Sequence, residues 1–324
     1  MTRTADVYQG FAASEARGYC PPYEELARGV AADDRLLRLI EELPEPSRQP
    51  NLLFAATRYL GGPVTDGYAA FADWALARWY EVRATMLERK TQTNEPGRCA
   101  SLLPVLTALP QPLALIEVGA SAGLCLYPDK YEYRYDDRTP IGPADSPVSL
   151  ACQTSGPVPF PADPPVVVWR AGVDLNPLDV RDESELRWLE SLIWPGHDNR
   201  LDRLRRAAEI AAAEPPLLVR GDLNEVVADL VSRAPAGATP VVFHSAVLAY
   251  LPEPARDRFT QTMRSIPARW ISNEGRRVLP TVSARLAAAN RRLPQDRAVF
   301  VTALDEEPLA LAGPHGQSLD WLPS

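Results

Sequence analysis

Three carboxylates and one imidazole stand at the ends of short apolar runs, and those positions define the chemistry open to this chain. Leu113-Ala-Leu-Ile116 stops at Glu117, and a turn of small residues follows: Gly119, Ala120, Ser121, Ala122 and Gly123. Val166-Val-Val-Trp169 leads to Gly172-Val-Asp174-Leu175-Asn-Pro177, Leu217-Leu-Val219 leads to Asp222 and Leu223, and Val241-Val-Phe243 leads to His244. Apolar runs this short, bounded by turn residues, read as buried strands of a parallel sheet. Ligands of such sheets bind outside the strands' carboxyl ends, so the four ionisable groups fall where chemistry is done. Carboxylates there accept hydrogen bonds from ligand hydroxyl and amino groups. An imidazole titrates near neutral pH and can act as a general base. The small-residue turn lets ligand and backbone approach closely, and free N–H groups are expected where the strand gives way to a helix.

The spacing Glu117-x-Gly119, with small residues at 121 and 123, resembles the first glycine motif of class I S-adenosylmethionine-dependent methyltransferases. Gly172 to Pro177 matches the acid-bearing strand end of that family, and Asp222 holds the place of its next acid. The resemblance implies a Rossmann-like α/β fold, a mostly parallel sheet with a C-terminal antiparallel hairpin, and S-adenosylmethionine as cofactor. It further implies that Glu117, Gly119, Ala120, Ser121 and Gly123 hold the methionine end, Asp174 with Leu175 the ribose, and Asp222 with Leu223 the adenine. His244 is then the candidate base for a hydroxyl acceptor, and Asn273 and Glu274, at the end of a fifth strand, are candidates for binding the substrate. Two departures stand out. Ser121 replaces the middle glycine, and Asp174 follows Glu117 at far more than the usual ~20 residues, the excess matching a tyrosine-rich insertion at about 125–165. A dinucleotide G-x-G-x-x-G is excluded, because Ser121 and Leu124 stand where it needs glycines. Arg48 to Phe54, Thr91 to Glu95, Gly97 to Ala100 and Glu117 to Leu124 also resemble a bacterial family catalogued as a domain of unknown function, a likeness that spans nearly the whole chain.

The elements that must position these groups divide the chain into an N-terminal helical cap, 1–110, and a Rossmann-like domain, 111–324. Pro21-Pro-Tyr-Glu-Glu25 opens one helix, Asn51 to Leu60 forms another, and Phe71, Ala75, Val82 and Met86 recur at helical spacing over 68–89. The aromatic residues there read as core. The polar loop Thr91 to Arg98 brings Asn94, Glu95 and Arg98, and Arg98 is suited to gripping a carboxylate. Cap and loop are expected to cover the site and select the substrate. The cluster Arg200 to Arg206, interleaved with acids, reads as a solvated helix face.

Bulk properties exclude other classes. A net charge of −8 disfavours phosphate-backbone binding, and no Asn/Asp-Pro-Pro-aromatic tetrapeptide follows the fourth strand, so a nucleic-acid substrate is not expected. No apolar run reaches the ~20 residues that span a bilayer. Four scattered cysteines without a CxxC pair suit a reducing cytoplasm and give no metal framework. A small-molecule methyltransferase is the leading reading, with a non-catalytic module that binds the cofactor or another nucleotide as the alternative. Nothing in the sequence indicates the oligomeric state.

Overall fold

The computed structural model describes residues 3–288 and 298–323. The chain folds as two compact units, residues 1–93 with 181–202, and residues 94–180 with 203–324. The units therefore divide at other points than residue 110: the helix Cys99–Thr107 belongs to the second unit, and the helix Glu183–Ser191 to the first.

The first unit is helical. Prolines at the first turns of Pro21–Ala32 and Pro50–Tyr59 occupy positions whose N–H groups would have had no partner. Its core is aromatic, with Tyr23 lying 4.8 Å from Phe54 and 5.4 Å from Trp194 between ring centroids. The one helix expected over 68–89 is two, Tyr68–Ala77 and Trp79–Glu88, separated at Arg78 with φ −114°. No proline or glycine marks that break. Arg78 instead lies over the Trp74 ring at 4.8 Å and donates from Nε to Glu81 at 2.9 Å.

The second unit is built on a ten-stranded sheet. Its strands are β1 (Leu113–Val118), β2 (Glu132–Tyr135), β3 (Ser149–Ser155), β4 (Val167–Asp174), β5 (Leu217–Arg220), β6 (Thr239–Ser245), β7 (Arg269–Gly275), β8 (Phe300–Leu304), β9 (Glu307–Ala312) and β10 (Ser318–Trp321). The order across the sheet is β2-β3-β10-β9-β8-β7-β6-β1-β4-β5. The sheet is Rossmann-like: β5, β4, β1, β6 and β7 are parallel, and β7-β8-β9-β10 run antiparallel in sequence. All six residues of β1 are buried, as a strand flanked on both edges and covered on both faces requires.

The tyrosine-rich insertion is part of this sheet. β2 and β3 pair in parallel with each other, and β3 pairs in parallel with β10 at the edge farthest from β5. Tyr131, Tyr133 and Tyr135 are buried, and their hydroxyls donate to the carbonyls of Leu124, Pro128 and Ala100 at 2.6–2.7 Å. These phenols are packing groups with a satisfied polar tip.

Candidate functional site

The strand order reverses at β1. β4 and β5 continue to one side and β6 and β7 to the other, which makes the carboxyl ends of β1 and β6 the topological switch point where such sheets hold ligands. The turn after β1 sits there. Gly119 and Gly123 have φ of +69° and +70°, and Ser121 adopts +51°. Ser121 therefore keeps the left-handed backbone of the glycine it replaces, a conformation that costs an L-residue roughly 1–2 kcal/mol. Close approach explains the glycines. A Cβ on Gly119 would lie 2.4 Å from a Val247 methyl, and one on Gly172 would lie 2.5 Å from the Ala120 Cβ.

The turn's N–H groups are not open donors. Gly119 and Ala120 donate to the Val173 carbonyl at 2.8 and 3.1 Å, and Gly123 donates to the Ala120 carbonyl at 2.6 Å. Ser121 N–H donates to Asp174 Oδ2 at 2.8 Å, and Ala122 N–H donates to Asn94 Oδ1 at 3.0 Å. The expectation of free donors is corrected accordingly, because the turn folds back on the end of β4 and Asn94 reaches over it. No long helix follows either. The chain makes one turn of 3-10 helix, Leu124–Leu126, and enters the insertion, so the turn after β1 does not lead into the N-terminus of a long helix. A ligand here meets carbonyls, side chains and close-packed backbone.

Asp174 ties the turn after β1 to the turn after β4. While Oδ2 holds Ser121, Oδ1 accepts the Asn176 N–H at 2.7 Å. A carboxylate accepts at about four sites, so these bonds fix its direction. The Asp174 carbonyl in turn accepts the Gly221 N–H at 3.0 Å, which sets the Asp222 turn beside it. Asp222 is exposed and caps the helix Leu223–Ser232 through Asn224 N–H at 2.8 Å. Leu175 is 73% exposed, an unusual setting for a leucine next to a buried turn.

The residues of the 94–98 loop come to this site and are structural ties within it. Asn94 donates from Nδ2 to Ser121 Oγ as well as accepting from Ala122. Glu95 is buried, and its Oε1 accepts from Gly97 N–H at 3.0 Å and Arg203 Nε at 2.8 Å. Arg203 thus leaves the solvated face expected of it. The expected carboxylate grip of Arg98 is also corrected: its Nε donates to the Pro314 carbonyl and its Nη1 to the Ser245 carbonyl, each at 3.0 Å.

His244 is fully buried, and both ring nitrogens are engaged. Trp270 Nε1–H donates to Nε2 at 3.0 Å, and Nδ1 faces Glu274 Oε1 at 2.8 Å. An indole can only donate, so Nε2 is the acceptor and Nδ1 carries the hydrogen. Glu274 Oε1 also accepts the N–H groups of Val247 and Leu248 at 2.8 and 2.9 Å. Burial pushes the Glu274 carboxyl up, but His244 and these two backbone donors outweigh it and hold the group below the usual carboxylate range. Asn273 is tied as well, donating to Ser245 Oγ at 2.9 Å and accepting from Thr302 at 3.1 Å. In this arrangement His244, Asn273 and Glu274 anchor the 246–250 loop and present no nitrogen to a ligand. The loop ends in Tyr250, which is 84% exposed.

Glu117 and Glu274 each keep one buried carboxyl oxygen, Oε2, without a hydrogen-bond partner among the described residues, but their carboxyls shift in opposite directions. Glu117 is 8% exposed. Burial, reinforced by the neighbouring Cys125 thiol and by Asp174, raises its carboxyl well above the usual range, with Arg98 opposing in part. A buried carboxyl oxygen without a partner is costly.

Ala246, at the end of β6, has φ +56°, a second non-glycine left-handed residue at the switch point. Replacing it with glycine removes that strain, and glycine's unfolded-state entropy takes back about 0.4–1 kcal/mol. Ala246→Gly is expected to stabilise the protein by about 0.5–1 kcal/mol. Equilibrium denaturant unfolding checks this, and a loss of stability would show that the turn is unstrained. Neither Ala246, Arg203 nor Trp270 was legible as part of the site, since an alanine after a strand, one arginine among several and a strand tryptophan carry no local signal.

The model of a bacterial protein family matches residues 5–321, nearly the whole chain. The chain belongs to the family of uncharacterized proteins conserved in bacteria, DUF2332. No curated protein and no solved structure matches the chain. Membership in DUF2332 carries the bacterial setting and no substrate. Among the described residues no helix is long and apolar enough to cross a membrane, and no group of three or more His, Cys, Asp or Glu is placed to hold a metal ion.

Proposed function

We propose that the second unit binds S-adenosylmethionine across the carboxyl ends of β1, β4 and β5 and passes its methyl group to a small-molecule acceptor. The observation that carries this reading is the bond from Ser121 N–H to Asp174 Oδ2. It fastens the glycine turn to the acid-ended strand at the switch point, which supports a shared ligand site for Glu117, the turn, Asp174 and Asp222. Asp174 would take the ribose hydroxyls, Asp222 the adenine amino group, and exposed Leu175 with Leu223 the faces of the base. Glu117 would meet the ammonium of the methionine end. The cofactor supplies a sulfonium methyl group when bound; the chain's part is to hold it and exclude water while a nucleophile is positioned.

His244 is better read as scaffold than as base, given its engaged ring. That observation also favours a second reading, a module that binds the cofactor without catalysis. Calorimetric titration of the full chain separates the possibilities. Heat with S-adenosylmethionine and S-adenosylhomocysteine, and none with NAD, is the expected result; silence with both sulfur nucleotides would overturn the site. Formation of S-adenosylhomocysteine in a metabolite mixture would decide for catalysis.

A further inference from the structure

The first unit carries an open cleft of about 460 Å³, a volume within the range of small-ligand sites. Its walls include Arg58, Gly62, Thr65, Asp66, Trp74 and Pro195. Arg58, in the last turn of Pro50–Tyr59, is held by a bond from Nη1 to the Ile193 carbonyl and by the Tyr23 phenol. A guanidinium has five donors in a planar fork, more than the Ile193 carbonyl and the Tyr23 phenol take up. Gly62 lies so near the indole of Trp74 that a Cβ would stand 2.8 Å from its ring atoms, so backbone and aromatic surface form one wall. Asp66 is exposed, and its Oδ1 accepts from the Thr65 hydroxyl at 3.1 Å.

We propose that this cleft binds a free aromatic α-amino acid as its zwitterion. Arg58 takes the carboxylate, with fork geometry matched to it. Trp74 and Pro195 cover the ring, and Asp66 takes the ammonium. The same Asp66 repels a second negative charge, which selects against phosphate esters and dicarboxylates. The proposal is independent of the cofactor reading, since every residue it uses lies in the other unit.

The test uses the full chain and three probes: L-phenylalanine, phenylacetate, which lacks the ammonium, and phenethylamine, which lacks the carboxylate. A charge-assisted hydrogen bond contributes about 1.5–3 kcal/mol, or roughly tenfold to a hundredfold in affinity. Calorimetry is expected to show phenylalanine binding at least tenfold tighter than either fragment. Asp66→Asn should reduce it to the level of phenylacetate, and Arg58→Gln to the level of phenethylamine. Arg58 supports packing, so its variant counts only with an unchanged melting curve; the exposed Asp66 provides the test that does not depend on folding. Equal affinity for all three probes, no heat with phenylalanine, or an unaltered Asp66→Asn would overturn the proposal. Saturating S-adenosylmethionine should leave phenylalanine binding intact, and displacement would overturn it by placing the amino acid elsewhere.

Discussion

Asp174→Ala is expected to cost the protein both stability and ligand. The carboxylate accepts from Ser121 and Asn176 N–H groups at 2.8 and 2.7 Å, and Ser121 is buried. Leaving two such donors unmatched costs about 1–3 kcal/mol each, so a loss of about 2–4 kcal/mol is expected. For a chain of this size that lowers Tm by several degrees, at about 2–4 °C per kcal/mol. On the proposed S-adenosylmethionine reading, removal of the Asp174 carboxylate should weaken that ligand at least about 100-fold. Asp174→Asn, which keeps one acceptor, should recover part of the stability and little of the affinity. The two measurements carry different information. A destabilised variant that still binds would make Asp174 a strut of the turn, and an unchanged melting curve would contradict the geometry itself.

Glu117→Gln is expected to act in opposite directions on stability and binding. The folded carboxyl titrates well above its unfolded value of ~4.3. Below that value both states are protonated, and the group contributes nothing to the difference. As pH rises, the unfolded chain ionises while the folded protein stays protonated, and stability drains at up to about 1.4 kcal/mol per pH unit until the folded group also ionises. Glutamine does not titrate, so the gap between variant and parent should widen in the variant's favour from about pH 4 upwards. Denaturant unfolding at several pH values reads this directly; a gap constant with pH would mean that Glu117 ionises normally in the fold. Binding shows the converse. A cationic ligand draws Glu117 into its charged form, so at a pH where the free folded group is protonated the parent should release up to one proton per ligand, seen as a dependence of calorimetric heat on the buffer's ionisation enthalpy. Glu117→Gln should bind more weakly and release none.

The strands of the central sheet were legible because each is a short apolar run closed by turn residues, and β1, β4, β5, β6 and β7 lie where those runs predict. Asp222, read from the sequence as a ligand-binding acid, caps the helix Leu223–Ser232, a role its local sequence does not single out. What local chemistry does not encode is which distant group consumes a polar side chain. Arg98 has the form of a carboxylate grip, yet it holds carbonyls 147 and 216 residues away. His244 has the position of a base, yet Trp270 and Glu274 arrive from the neighbouring strand to occupy it. The turn illustrates the same limit. Its glycines announced a close approach, but whether ligand or protein meets the N–H groups depended on Asn94 and Asp174, both far along the chain.

The pairing of β3 with β10 has a consequence for biosynthesis. Ser155 donates to Asp320 at 2.7 Å across 165 residues, beside the ladder joining Gln153, Thr154 and Ser155 to Ser318, Leu319 and Asp320. At about 5–20 residues per second, a ribosome needs roughly ten to thirty seconds after making β3 before β10 exists. Throughout that interval the β3 side of the β2–β3 ribbon has an uncovered edge. The nascent chain must carry this exposed ribbon until its last strand is made, which makes the insertion the segment where a chaperone would act and where a truncated product would aggregate.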